Sequence, residues 1–396
     1  MESAPHAEIT RRVAGLQERL EEAGIDLALI GQAADLFYYA GVLADGFLAV
    51  APAAGPRFLV RRPRRRLAAM KHPWPLAFYR DVKEIPGLLA KAGLVGSGPL
   101  GLELDVMPAA LYRLFQGKLF PGRPIKDLST LIRRQRMVKS AYEIGQLRRA
   151  AAMLDQAFEV IPGLVRPGVT ELEVAAALEN RLRLLGHQGL IRTRRWNLEQ
   201  HFGHVLSGQA GLQVSYIDAP TGGWGLGPAF PQGASMRKLS PGEPISVDLA
   251  GCINGYVADM TRMYALESLP ERAWEAYVAV AELYSIFEDH ARPGVMPGDL
   301  HRRLMQKVRE RGLEDYFMGP GEERVSFIAH GVGLELDEYP FITARFPYPL
   351  EENVVLAFEP KFFLPDIGMI GQEDTGVITE AGVEWLTQSP REIKIV

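Results

Sequence analysis

The sequence predicts an α+β fold of two domains, an α/β domain at the N-terminal end followed by a larger one of antiparallel sheet and helices. Three observations predict it. The chain has 396 residues, more than one ordinary core of roughly 100 to 250 residues accommodates. Its first third alternates helical and strand patterns. The remainder carries two helix-opening capping boxes and two long hairpin patterns with helical stretches between them.

Taken in order, Ile9 to Ala23 is amphipathic and stops at Gly24, and Asp26 to Ile30 is a short apolar strand. Further strands are predicted near Phe47 to Val50, Phe58 to Val60 and Leu100 to Leu104, with helical stretches around Leu67, Val82 to Ala90 and Ala109 to Gln116. The polar, basic passage from Arg133 to Lys139 marks a boundary, giving domains of residues 1–136 and 137–396. Ser140-Ala-Tyr-Glu143 opens a helix to about Val160, and Thr170-Glu-Leu-Glu173 opens another to about Leu185. From Trp196 to Gly233 regular signals are few, and a passage of that length within a compact domain is usually functional. Then follow a hairpin from Pro244 to Tyr264, helices near 270–290 and 299–311, a strand from Arg324 to His330, and a second hairpin from Val354 to Glu373.

Composition bounds the function. At 47% hydrophobic and 23% charged residues the chain reads as soluble and globular, and a net charge of −4 leaves no excess of Lys and Arg for nucleic-acid phosphates. The dense basic run of Arg61, Arg62, Arg64, Arg65 and Arg66 reads as a solvated helix start, with an acidic partner as the alternative. One cysteine, Cys252, allows no intrachain disulfide framework and fits a reducing cytoplasm; a small packed residue is the expectation there, a thiol near a site the alternative. Residues 1–8 show no basic flank and no apolar run, and no stretch reaches the length of a membrane span. A cytoplasmic protein without nucleic-acid or membrane partners is expected.

The chemistry lies in the hairpins. A two-residue turn at Asn254-Gly255 places Asp248 opposite Thr261 and diagonal to Asp259, so both aspartates share a face. In the second hairpin the turn signals centre on Asp366, and Glu359 and Glu373 should lie directly opposite one another. Facing carboxylates repel unless a proton or cation lies between them. His330, entering Gly331-Val-Gly333, completes a set of four acids and one imidazole, which suits Mn²⁺, Fe²⁺, Co²⁺ or Zn²⁺ better than Mg²⁺. Four acids exceed the need of one divalent ion, and two ions would balance them and activate a water for hydrolysis. The alternative, five scattered polar residues of which each alone is ordinary, stays open on spacing alone.

The runs Val247-Asp-Leu-Ala-Gly251, Gly255-Tyr-Val-Ala-Asp-Met-Thr-Arg262, His330-Gly-Val-Gly-Leu-Glu335, Phe358-Glu-Pro360 and the stretch from Glu373 to Gly382 resemble the pita-bread metallopeptidases: prolidase, aminopeptidase P, methionine aminopeptidase and creatinase. Gly24 to Gly41 and Leu131 to Ala150 resemble the N-terminal domain and linker of the prolidase and creatinase branch. The resemblance implies a creatinase-type N-terminal domain, a pita-bread catalytic domain and two divalent ions, manganese first among them. It implies that Asp248 chelates one ion, Asp259 and Glu373 bridge both, and His330 and Glu359 hold the other, with Glu359 also taking a proton from the attacking water. A homodimer is implied as well.

The chain departs from the family pattern around the substrate. Where a second histidine is usual, seven residues after the metal-bound one, it has Asp337 in Asp337-Glu-Tyr-Pro340. A histidine expected before the first aspartate falls on Ser215 counting forward or Pro231 counting back, the difference suggesting an insertion of about sixteen residues around Thr221 to Gly227. The usual arginine two residues before the last glutamate is Gly371. His201 and His204 are candidates to replace a missing donor, and Asp337 and Tyr339 are further substrate-side candidates. The expectation is a dinuclear hydrolase like an Xaa-Pro dipeptidase or aminopeptidase, cleaving a small peptide or amide with atypical specificity. Alternatives are a non-peptide amide or amidine hydrolase or lyase, and a metal-retaining binding protein.

Overall fold

A computed structural model describes residues 4–217 and 219–396; the first three residues of the N-terminal stretch examined for a leader, and Asp218 of the long passage, lie outside the described residues. Two compact units emerge from the contacts, one running to Arg136 and including Arg194–Trp196, the other formed by Met137–Thr193 and Asn197–Val396.

The first unit contains α1 (His6–Glu22), β1 (Leu27–Ile30), α2 (Ala33–Ala40), β2 (Asp45–Ala51), β3 (Ala54–Arg62), α3 (Arg64–Ala68), β4 (Leu76–Phe78), α4 (Ile85–Lys91), β5 (Leu100–Leu102), α5 (Ala109–Leu114), β6 (Ile125–Asp127) and α6 (Ser129–Met137). Its mixed sheet has the order β4-β3-β2-β1-β5-β6. The predicted strands and helices are present. The sequence signals missed α2, β4, β6 and α6, each short or, in α6, too charged to show an apolar stripe. The basic passage read as a polar boundary is the end of α6, and Arg136 is buried there against Asp35 at 2.5 Å. Arg194 reaches the same aspartate at 2.6 Å, so Asp35 lies between two guanidinium groups that outweigh burial and lower its pKa. The basic run from Arg61 to Arg66 spans the end of β3 and the start of α3, with Arg61 and Arg62 paired to Asp45 at the surface.

The second unit contains α7 (Ala141–Phe158), α8 (Ile161–Leu164), α9 (Glu171–Leu184), β7 (Gly203–Ser207), β8 (Pro244–Ile253), β9 (Tyr256–Ala265), α10 (Glu271–His290), α11 (Pro297–Glu310), β10 (Ala329–Gly331), β11 (Glu338–Phe341), β12 (Val355–Phe358), β13 (Lys361–Leu364), β14 (Gly368–Gly371), β15 (Asp374–Thr379), β16 (Gly382–Trp385) and β17 (Lys394–Ile395). Both predicted capping boxes form: Ser140 and Glu143 cap α7 reciprocally, and Thr170 and Glu173 cap α9. The strand expected from Arg324 shrinks to Ala329–Gly331, although Ile328 still bonds to Ile342 through its backbone.

Two sheets carry the site. One has the order β17-β9-β8-β7 and the other β11-β10-β12-β15-β16, with β13 and β14 forming a separate ribbon. Helix α7 lies on β8 and β9 because Gly251 has no side chain: a Cβ there would stand 2.7 Å from the Ala150 carbonyl. Behind the second sheet, Phe287 of α10 stacks on Phe358 with centroids 4.1 Å apart, and Tyr284 donates its hydroxyl proton to the Phe358 carbonyl at 3.2 Å. Glu359 therefore leaves a strand end clamped by aromatic packing. Cys252 is a buried packing residue beside Ile191, Ala250, Val257 and Leu336, and burial pushes its thiol up to about 11.

Candidate metal centre

The turn at Asn254 and Gly255 has φ of 49° and 84°, the paired positive values of a type I′ hairpin, and it sets the register. Asp248 pairs with Thr261 and Ala250 with Asp259, as the spacing predicts. The second hairpin also keeps its predicted register, with Lys361 opposite Gly371 and Phe358 opposite Asp374. Between those pairs the ribbon passes from one sheet to the next, and Glu359 and Glu373 occupy the changeover. Glu373 turns its backbone to Thr261, exchanging two hydrogen bonds of 3.2 Å, and the Thr261 hydroxyl donates to Glu373 Oε2 at 2.9 Å. Thr261 thus faces Asp248 on one side and Glu373 on the other, and joins the hairpins.

His330 lies on β10 opposite Ala357. Its Nδ1 sits 3.0 Å from the Leu336 carbonyl, so that nitrogen carries the proton and Nε2 is free to act as a ligand. Nε2 faces Glu359 Oε1 at 3.6 Å and Glu373 Oε1 at 3.7 Å. One ligand atom each from Asp259, His330 and Glu373 lie within 4.8 Å of one another, all buried. Glu373 Oε1, fully enclosed, has no hydrogen-bond partner. A buried carboxylate oxygen without a hydrogen-bond partner, 3.7 Å from His330 Nε2, leaves a place that a divalent cation would suit.

A residue that the sequence reading passed over shares the site. Lys361, 1% exposed, donates to Asp248 Oδ2 at 2.9 Å, Glu359 Oε2 at 2.8 Å and Glu373 Oε2 at 3.1 Å. A lysine on a strand normally reads as solvated; the signal that could have found it is its place two residues after Glu359 and directly before the apolar Phe362-Phe-Leu364.

Protonation follows from the crowding. Burial, opposed by Lys361 and reinforced by the Glu373 charge, pushes Glu359 up to about 7. Burial and the charges of Glu373 and Asp248 hold Asp259 well above the usual carboxylate range. For Asp248 burial is outweighed by Lys361 and His204, and its pKa is lowered. Burial works against a charged His330, but Glu373, Asp337 and Glu359 raise its pKa well above the ordinary value. At neutral pH the metal-free centre therefore holds protons that a cation displaces. Metal uptake should release protons, and the apparent affinity should rise with pH by about tenfold per unit for each proton released. Titration of the metal-free protein with Mn²⁺ in buffers of different ionisation enthalpy measures that release; an affinity flat from pH 6 to 8 would contradict it.

The substrate-side candidates separate. His204 lies on β7 opposite Asp248, with Nε2 2.8 Å from the Thr221 hydroxyl and 3.6 Å from Asp248 Oδ2. Burial lowers its pKa to about 4, so the ring is neutral at neutral pH. Thr221 belongs to the segment marked as an insertion, which thereby orients the histidine. Together with Gln232, Phe327, Asp337 and Lys361 they line a cleft of about 580 Å³, mouth included, with the acids and His330 in its wall. The enclosed part is only about 50 Å³, room for a water or two, so a substrate would extend out through the mouth. Asp337 stands 3.7 Å from His330 Nδ1. His201 lies outside the lining, edge-on to Phe230, and Tyr339 packs against Phe346 away from the cleft. Ser215 donates to Gln232 at 2.7 Å behind the lining.

Paired acids and a histidine brought together where two sheets meet point to a metal-dependent hydrolase, and comparison with known proteins agrees. The family model described as metallopeptidase family M24 matches residues 145–380, and that of the creatinase/prolidase N-terminal domain matches residues 12–138. The chain belongs to metallopeptidase family M24. It is similar to the Xaa-Pro dipeptidase of Pyrococcus furiosus, 25% identical over 385 residues that cover 96% of this chain and 99% of that protein. It is also similar to the probable dipeptidase PepE of Mycobacterium tuberculosis, 28% identical over 398 residues covering 98% and 96%. The crystal structure of dipeptidase PepE from Mycobacterium ulcerans superposes with a TM-score of 0.81 at 27% identity, covering the whole of both chains.

Proposed function

We propose that the protein hydrolyses a short peptide or small amide, with a specificity that departs from ordinary Xaa-Pro cleavage. The observation that carries this reading is the convergence of Asp259, His330, Glu359 and Glu373 on one cleft wall. A divalent ion bound by Asp259, His330 and Glu373 would polarise the scissile carbonyl and make a water acidic enough to attack near neutral pH. Glu359, in the cleft wall beside that position, would take the proton of the water and return it to the departing amine. His204, held by Thr221, supplies a neutral N–H or hydroxyl-linked dipole at the opposite wall. The names of the relatives, Xaa-Pro dipeptidase and probable dipeptidase, support a peptide substrate. The serine and aspartate at positions usual for histidine support a changed specificity. Manganese as the ion, a homodimer, a cytoplasmic setting and domains of residues 1–136 and 137–396 belong to the same proposal, and whether the second ion that the resemblance implies can join the first turns on Lys361. The cluster of oxygen ligands favours manganese, and the division of the contacts between Arg136 and Met137 supports the boundary. Among the described residues no helix is long and apolar enough to cross a membrane.

Turnover on Xaa-Pro dipeptides, longer Xaa-Pro peptides, other dipeptides and small amides, with Mn²⁺, Co²⁺ or Zn²⁺ reloaded, tests the reading. Silence on every peptide and amide with metal bound would overturn it. On an accepted substrate, His204→Ala should lower kcat by about 10²-fold, the scale of one lost oxyanion donor, while His201→Ala should leave it within about twofold. Equal effects of the two changes would remove His204 from the substrate side. The second reading, hydrolysis of a cationic amidine or amide, is favoured by Asp337, whose carboxylate stands in the cleft lining. Asp337→Asn should then raise KM for cationic substrates alone.

A further inference from the structure

We propose that Lys361 is a resident cation taking the place of a second metal ion, so that the centre is built for one divalent ion and one ammonium. The proposal rests on the reading of Asp259, His330 and Glu373 as a metal site and goes beyond it. An ammonium has three protons, and Lys361 directs them to three carboxylates, those of Asp248, Glu359 and Glu373, at 2.8 to 3.1 Å. Each of the two glutamates divides its oxygens. Oε2 of both is taken by the ammonium, while Oε1 of both faces His330 Nε2 at 3.6 and 3.7 Å. Glu373 Oε2 also accepts from Thr261, which leaves it saturated, whereas Glu373 Oε1 makes no hydrogen bond and has only His330 Nε2 beside it. The structure thus presents one ligand pocket on the histidine side and a filled cation position on the Asp248 side.

The opposite strand is shaped for this lysine. Gly371 pairs with Lys361, and a Cβ at 371 would stand 2.5 Å from Lys361 Cγ and 2.8 Å from its Cα. Any larger residue there would press on the stem that carries the ammonium to the acids. Charge agrees with the geometry. Four carboxylates are nearly balanced by one dication and an ammonium, whereas two dications beside an ammonium would crowd three cations around them. Residues on the Asp248 side therefore do not fit a second ion while Lys361 remains seated.

Metal stoichiometry decides the matter. The full chain, stripped with chelator and reloaded with Mn²⁺, should bind one ion per chain by elemental analysis after gel filtration, with the electron paramagnetic spectrum of an isolated ion. Lys361→Ala, similarly loaded, should bind two and give an exchange-coupled spectrum. Two ions in the wild-type chain would overturn the assignment to Lys361 and leave the metal site standing. One ion in both proteins would overturn it as well, because removing the ammonium would then open no position. No ion in the wild type under Mn²⁺, Co²⁺ or Zn²⁺ would instead sink the metal-site reading beneath it. Should Lys361→Ala fail to fold, the wild-type count and spectrum, with Lys361→Met as a second variant, remain sufficient.

Discussion

Glu373→Gln should leave the protein folded but unable to retain a divalent ion, and should lower kcat on any accepted substrate by about 10³-fold or more, the scale of losing several kcal/mol of electrostatic stabilisation. The reason is positional. Glu373 Oε1 is the buried oxygen without a partner, its other oxygen is held by Thr261 and Lys361, and its backbone joins the two hairpins. Glutamine can preserve the backbone pairing and the Thr261 contact while removing the charge, so the change separates ligation from folding. Elemental analysis and steady-state kinetics on the same preparation check it. Retention of a full ion with kcat reduced less than tenfold would show that Glu373 is no ligand.

Lys361→Met should destabilise the metal-free protein by about 3 to 5 kcal/mol, the range found when one partner of a buried ion pair is removed. Three carboxylates lose their common counter-charge; those of Glu359 and Glu373 are buried, and that of Asp248 is 13% exposed at the cleft. Denaturant unfolding in excess chelator measures the difference. Saturating Mn²⁺ should then narrow it, because the variant would gain a second ion that wild type has no position for, and an ion at about 100 times its Kd adds about 2.7 kcal/mol to the folded state. A variant as stable as wild type in chelator would mean that the acids share protons instead of relying on the ammonium.

Much of this centre is legible in the chain because turn chemistry fixes register. Asn254-Gly255 permits one pairing of its strands, and the signals around Asp366 permit one pairing of theirs, so four acids fall into place from arithmetic alone. Capping boxes reveal α7 and α9 for the same reason: the side chains that end a helix are read locally. What sequence conceals is set by distant partners. Strand β7 is buried on both faces and shows no alternation, yet it brings His204 to Asp248. Helix α6 hides behind its arginines, since only the fold reveals that Arg136 meets Asp35. Lys361 is invisible for the most instructive reason. Its meaning depends on three acids drawn from positions 248, 359 and 373, and on a glycine across the ribbon.

The bond pair between Thr261 and Glu373 has a practical consequence for anyone handling the protein. It unites segments 112 residues apart in sequence, so the proposed metal pocket would form only after pairings of long sequence separation have closed. Misfolded or clipped molecules can keep their helices and still lack the pocket. If the centre holds a metal as proposed, the ratio of bound metal to polypeptide should report conformational integrity and decline before far-ultraviolet circular dichroism registers any damage.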